Sequence, residues 1–567
     1  MPIESAATFR RYRAPQEDGQ ALVDPPAAEL PNVLARNRQR LVGLCYDLNG
    51  RCLSELSAAA RRRLVDQAVS YTRQYRDVPA SIAECGTQRV PGSADLQNIP
   101  QSAFRIPQFF PPLILSGHQP QLFHPGGWYK NFVLGSLARD VEGIGIHLLI
   151  DSDLCRSVSI RVPSGTPQRP RAETIAYDLP ATEIPYEERA IRDRAIFDSF
   201  GNRVAAAIRP LVSDPLIETL WPRAIRQSRA QSNLGLCLAQ GRHLVEADWQ
   251  NDTLELPQSA VCRLPEFAWF LAHLIAQLPK FRAAYNGSLA EYRRAHRTRN
   301  RAQPVPDLGQ ADDWLEAPLW IWSADDPRRR PLFARAHGGQ IEISDRSRRT
   351  FQLNLSSDGN AASAVEQLLD LAAQGVKIRT RALVTTLFAR LVLGDLFLHG
   401  IGGAKYDQVT NLVAREFFGF ELPEFAAVSA TLRLPVNRPQ ATAASAATFQ
   451  SQLRELRFHP ERFLAGDTSL SEDEKSKVAE IIRAKRRWTE TVKTQQNARE
   501  RHLAINAANE ALQPYTFRLR QLVEREHTDQ EGQRRAAAIL DSREHSYCLY
   551  PPSRLKQLLL DGDLLKT

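Results

Sequence analysis

Residues 113–130 read LILSGHQPQLFHPGGWYK: a short apolar run, Leu113-Ile114-Leu115, breaks at Ser116-Gly117 into a segment with two histidines and a glycine pair. A helical pattern from about Trp128 to Arg139 follows, and then Gly145-Ile146-His147-Leu148-Leu149-Ile150, a second buried-strand pattern that ends in Asp151-Ser152-Asp153. Strand, loop, helix and strand within so short a span predict a βαβ unit, because parallel strands need a crossover. The fold class read from the residues is therefore α/β.

Outward from this unit, Val33, Leu34, Leu41, Val42, Leu56 and Leu64 are spaced for amphipathic helices broken at Asn49-Gly50. Residues 1–105 are read as a helical N-terminal region and a linker rich in Pro, Gly, Ser and Gln. The α/β core is expected over 106–435, interrupted by an insertion at about 158–375. That insertion holds a helix near Glu266 to Phe281 and a strand-like Pro318-Leu319-Trp320-Ile321-Trp322, whose tryptophans read as strand packing. The core is expected to resume at Ile378-Arg379-Thr380-Arg381-Ala382-Leu383 and to reach Asp395-Leu396-Phe397-Leu398-His399, followed by the loop Gly400-Ile401-Gly402-Gly403-Ala404-Lys405. Residues 436–567 read as a helical C-terminal domain with long charged helices, a break at Pro514, and a short seam of Val478, Ile481, Trp488 and Val492.

The two glycine loops carry the chemistry. A loop at the carboxyl end of a parallel strand meets the N-terminus of the next helix, whose free N–H groups favour an anion. Gly117, Gln119, Gly126 and Gly127 in the first loop, with Gly402, Gly403 and Lys405 in the second, are the expected nucleotide-binding residues. His118, His124 and Lys130 would donate to phosphate oxygens. Asp151 and Asp153 would grip a ribose, hold Mg²⁺ or take a proton from an attacking amine. Neither loop matches a Walker or dinucleotide fingerprint, and no Gly-x-Ser-x-Gly or HExxH is present.

The bulk properties bound the alternatives. The formal charge of +9 is spread among alternating acids and bases rather than gathered in a tail. The basic cluster from Arg293 to Arg301 lacks interleaved aromatics and reads as a solvated helix face, so nucleic acid is not expected as a partner. Seven scattered cysteines without a CxxC pair argue against a disulfide framework or a zinc site, and no metal ligand set is expected. Cys155 reads as a buried, inert thiol. No segment has the apolar length of a membrane span, which points to a cytoplasmic protein with no membrane partner.

Three motifs, SGHQPQLFHPGGWYKNF, IHLLIDSD and TRALVTTLFARLVLGDLFLHGIGGAKYD, together with the late EHSYCLYPPSRLKQLL, resemble the bacillithiol cysteine-adding ligase (BshC) family. The resemblance implies a Rossmann-like parallel-sheet core and an adenine-nucleotide site for ATP or ADP, to which Mg²⁺ is a possible companion. It also implies a reaction joining cysteine's carboxyl group to the amine of a glucosamine-malate acceptor. The expected function is a nucleotide-binding ligase acting on a small-molecule carboxylate and an amine, with a homodimer through the C-terminal helices as a possible assembly. The rival expectation is a non-catalytic nucleotide-binding or scaffold protein on the same fold.

Overall fold

A computed structural model describes residues 9–80, 82, 110–300, 302–437, 446–464, 466 and 469–560. Most of the expected linker, the first eight residues and Arg301 lie outside them. The described chain divides into two compact units, Met1–Val162 with Glu173–Pro435 and Arg543–Thr567, and Pro163–Ala172 with Val436–Ser542. This division differs from the sequence boundaries: the N-terminal helices and the last segment of the chain group with the core.

The first unit is mixed α/β with a mostly parallel central sheet. Its strands are β1 (Ala21–Asp24), β2 (Leu113–His118), β3 (Ile144–Leu149), β6 (Leu254–Pro257), β13 (Leu396–His399) and β14 (Phe425–Ala430), in the spatial order β1-β14-β13-β2-β3-β6. All neighbours are parallel except β1, which closes the β14 edge antiparallel. The chain leaves β2 through the helix Pro125–Asp140 toward β3, and leaves β13 through the helix Ile401–Phe418 toward β14. The strand order therefore reverses between β2 and β13, which is where ligands settle in open α/β sheets. A buried carboxylate aligns these two strands: Asp395 accepts the Leu113 N–H at 2.8 Å and a guanidinium N–H of Arg61 at 2.7 Å.

The apolar run Leu113-Ile114-Leu115 is wholly buried, as a central parallel strand requires. Leu113, Leu115, Ile146, Leu148, Leu254 and Leu256 share one core with Leu56, Leu64 and Ala68 of the helix Leu53–Arg73. The N-terminal region is helical as expected, and its break holds Asn49 and Gly50, both at positive φ. Strands β4 (Ser159–Thr166) and β5 (Arg169–Ala176) form a hairpin.

A second, antiparallel sheet runs β11 (Thr350–Leu353), β10 (Gln340–Ser344), β9 (Asp326–His337), β8 (Trp314–Ser323) and β12 (Val376–Thr380), with β7 (Gln310–Ala311) beside β8. Two expectations change here. The segment from Ile378 does not resume the central sheet: β12 pairs antiparallel with β8, and a helix begins at Ala382. The supposed insertion, in turn, supplies β6 to the central sheet.

The second unit holds the helices Ala446–Phe458, Glu461–Leu464, Glu472–Glu490 and Ala498–Leu540 around Leu464, Val478 and Leu512. Ser471 and Glu474 form a capping box at the start of Glu472–Glu490. The last helix runs through Pro514 rather than breaking there; Pro514 and Glu510, whose carbonyl is the one that loses an N–H partner, are both exposed residues. Val492 lies beyond the end of its helix and is exposed, so it does not extend the seam.

Candidate functional site

At the carboxyl ends of β2 and β13 lies a cleft of about 760 Å³. Of the residues singled out in the sequence, Gly117, His118, Gln119, His124, Gly126, Gly127, Lys130, Asp153, Gly402, Gly403 and Lys405 all line it. Asp151 does not. It turns to a neighbouring cleft, where it accepts the backbone N–H of Ser259 at 2.9 Å and the Ser259 hydroxyl, and so caps the short helix Gln258–Val261. Burial and Glu187 raise its pKa to about 7, against the opposing hydrogen bonds from Ser259.

The first loop is less open than its sequence suggests. The helix starts at Pro125, three residues earlier than expected, which puts Gly126 and Gly127 in its first turn. A Cβ on Gly126 would lie 2.0 Å from the carbonyl oxygen of Ala430, so this glycine lets the helix approach the end of β14. The N–H of Gly127 is already given to the His124 carbonyl at 3.0 Å. The second loop is the open one. Gly400 caps the helix Ile401–Phe418, nothing stands within 4 Å of a Cβ built on Gly402, and the N–H groups of that first turn have no partner inside the helix. Lys405 is exposed at the rim.

Lys130 is the decisive side chain. It is 2 % exposed, its ammonium donates to the Gly117 carbonyl at 2.5 Å, and among the described residues it has no ion pair. Burial, aided by the nearby Arg242, lowers its pKa to about 7. An amine desolvated without a counter-charge is costly, and an anion in the cleft would offset that cost.

His118 has its one N–H turned away from the part expected of a phosphate donor. The Nδ1 of His118 lies 3.1 Å from the Gln119 carbonyl, which only accepts, so Nδ1 carries the proton and Nε2 keeps a lone pair. Burial and Lys130 hold this ring neutral, with a pKa of about 3. His124 precedes the helix start, with Nδ1 buried and unpartnered and Nε2 4.0 Å from Glu544; burial lowers its pKa against the pull of that carboxylate. Asp153 accepts from Gln119 at 3.0 Å and from Arg329 at 3.1 Å.

Several cleft residues escaped the sequence reading. His399, at the end of β13, donates from Nε2 to Asp407 at 2.9 Å, and Asp407 also accepts from Arg390 at 2.7 Å and from the Thr386 hydroxyl. Burial alone would raise the pKa of Asp407, but Arg390 and His399 hold it well below the usual carboxylate range. A strand-end histidine with an aspartate two turns into the next helix was the available signal. Trp320, Arg329 and Arg381 reach the cleft from the second sheet and the turn after β12, with no motif to mark them.

Elsewhere, Arg293 of the basic cluster is held by Asp307 at 2.6 Å and by the carbonyl of Val305, and Trp322 is buried with its indole N–H on Glu188 at 2.8 Å. Among the described residues no three His, Cys, Asp or Glu side chains gather to hold a metal ion, and no helix is long and apolar enough to cross a membrane. Compared with protein-family models and with curated proteins, the chain matches none.

Proposed function

We propose that the cleft binds a nucleotide, ATP or ADP, with its phosphates at Lys130 and the Gly400–Gly403 turn, and that the protein is a ligase joining a carboxylate to an amine acceptor. The observation that carries this reading is the buried ammonium of Lys130 without a counter-charge, beside a helix N-terminus whose Gly402 leaves the backbone open. The order β14-β13-β2-β3-β6 supports a Rossmann-like core, since it is the arrangement of doubly wound dinucleotide folds. The resemblance to bacillithiol cysteine-adding ligases supplies the reaction class.

In such a reaction the carboxylate is activated by phosphoryl or nucleotidyl transfer. Charge then develops on phosphoryl oxygens, where Lys130 and the amides of the Gly400–Gly403 turn would meet it. The lone pair of His118 Nε2 can accept a hydrogen bond from the attacking amine and so orient it, while a pKa of about 3 makes this ring too weak a base to hold the amine's proton. Mg²⁺ would arrive with the nucleotide, since Asp153 is engaged by Arg329 and Gln119 and offers no protein-only site. The placement of Asp151 as a helix cap favours the rival, a nucleotide-binding protein without catalysis.

Isothermal titration with ATP and ADP, with and without Mg²⁺, tests the site. Binding by the wild type that is lost in Lys130→Met supports it, and an absence of binding under every condition refutes it. Phosphate release that depends on an added amine separates the ligase from the binding protein.

A further inference from the structure

Trp320 stands half-buried in the cleft wall with two guanidinium groups over its indole, the Cζ of Arg329 at 4.5 Å and that of Arg381 at 4.1 Å from the ring centroid. Each cation is fixed from one side. Arg329 Nη1 donates to the Ser152 carbonyl at 3.0 Å and to Asp153 at 3.1 Å, and Arg381 Nη2 donates to Glu316 at 2.6 Å. The two side chains are only 11 % and 10 % exposed, and the Nε of each is buried without a hydrogen-bond partner. Stacking and one-sided pairing hold the guanidinium planes still while leaving donors uncommitted.

These groups belong to the second-sheet side of the cleft, whereas Lys130 and Gly402 belong to the central sheet. The cleft lining carries five cations against two carboxylates. One of those carboxylates, Asp153, is spent on Arg329. A phosphate group at Lys130 would leave the Trp320 wall with charge and donors still unanswered.

We infer that the Trp320 wall is a second anion subsite, which receives a substrate carboxylate on Arg381 and Arg329, with Asp153 as the residue that positions Arg329. This rests on the reading of the cleft as a ligand site. A guanidinium presents planar paired donors that match a carboxylate, and stacking on an aromatic face holds that fork in place at little entropic cost. The role assigned to Asp153 replaces the metal or amine contact expected of it.

The test titrates the full chain with succinate, with neutral succinamide as control, and with ATP in parallel. Succinate is expected to bind and succinamide not. Arg329→Lys and Arg381→Lys keep the charge and lose the fork, and each should weaken succinate by about tenfold or more while ATP affinity stays within about twofold. Asp153→Asn should weaken succinate in the same selective way. Unchanged succinate affinity in both lysine variants, succinamide binding as tightly as succinate, or an equal loss of ATP and succinate affinity would each overturn the subsite. Failure of ATP to bind while succinate passes removes the nucleotide reading alone; the reverse removes the subsite alone.

Discussion

Replacing Lys130 by methionine should stabilise the protein at neutral pH. The ammonium is held at a pKa of about 7 against an ordinary 10.5, so its protonated form is disfavoured in the folded state. Between those two values the unfolded chain binds the extra proton, and stability rises with pH across that window. At pH 7 the penalty amounts to about 4 kcal/mol, and by pH 10 it has shrunk to about 1 kcal/mol. Methionine fills nearly the same volume without the charge. The Gly117 carbonyl loses its donor, at a cost of about 1–3 kcal/mol. The net expectation is a gain of about 1–3 kcal/mol at pH 7 that vanishes or reverses by pH 10. Urea unfolding followed by tryptophan fluorescence is the assay, because every tryptophan except Trp488 lies in the first compact unit. A variant less stable than wild type at pH 7, or a difference that does not move between pH 7 and 10, would show that Lys130 is compensated in the free protein and would remove the argument for an anion.

The glycines of the two loops should separate by stability. Gly126→Ala drives a Cβ into the Ala430 carbonyl and should cost about 1–3 kcal/mol, whereas Gly402→Ala meets open space and should leave the thermal midpoint unchanged or slightly raised. Asp407→Asn leaves Arg390 buried without its carboxylate and should cost about 3–5 kcal/mol at pH 7. Because the folded pKa of Asp407 is depressed, its contribution is present at neutral pH and lost as the pH falls below the ordinary carboxylate range, so the gap between variant and wild type should close in acid unfolding curves.

The parts of the fold that could be read locally were those with one dominant signal. Leu113-Ile114-Leu115 is an uninterrupted apolar segment and the run from Gly145 to Ile150 is broken only by the buried His147, which is close to what a parallel strand covered on both faces needs. Strand β6 escaped because Leu254-Glu255-Leu256-Pro257 alternates; its charge, Glu255, is buried on Arg242, a partner on the preceding helix. Strand β12 was seen but placed in the wrong sheet. Its Lys377 and Arg379 face Glu187 and Glu188, an alternation that suits the antiparallel sheet and not the central one. Within the site, His118 and Lys130 were legible because one loop-helix segment carries both. Arg329, Arg381 and His399 were not, since only the tertiary arrangement gathers them. The helix start at Pro125 was misjudged because a glycine pair signals a turn locally, while here it allows a close approach to a strand distant in sequence.

The edge strand β1 pairs Ala21 with Ala430, and β2 pairs Ile114 with Leu396. A ribosome delivers the first member of each pair long before the second. At about 5–20 residues per second, Ala21 waits on the order of 20–80 s for its partner strand. For most of that interval Leu113-Ile114-Leu115 has no neighbour on its β13 side, and the edge built from β14 and β1 is the last part of the central sheet to close. Nascent chains stalled before Phe425 should therefore hold the β2–β3 pair without the edge built from β14 and β1, and should depend on a chaperone to keep that apolar surface from other chains.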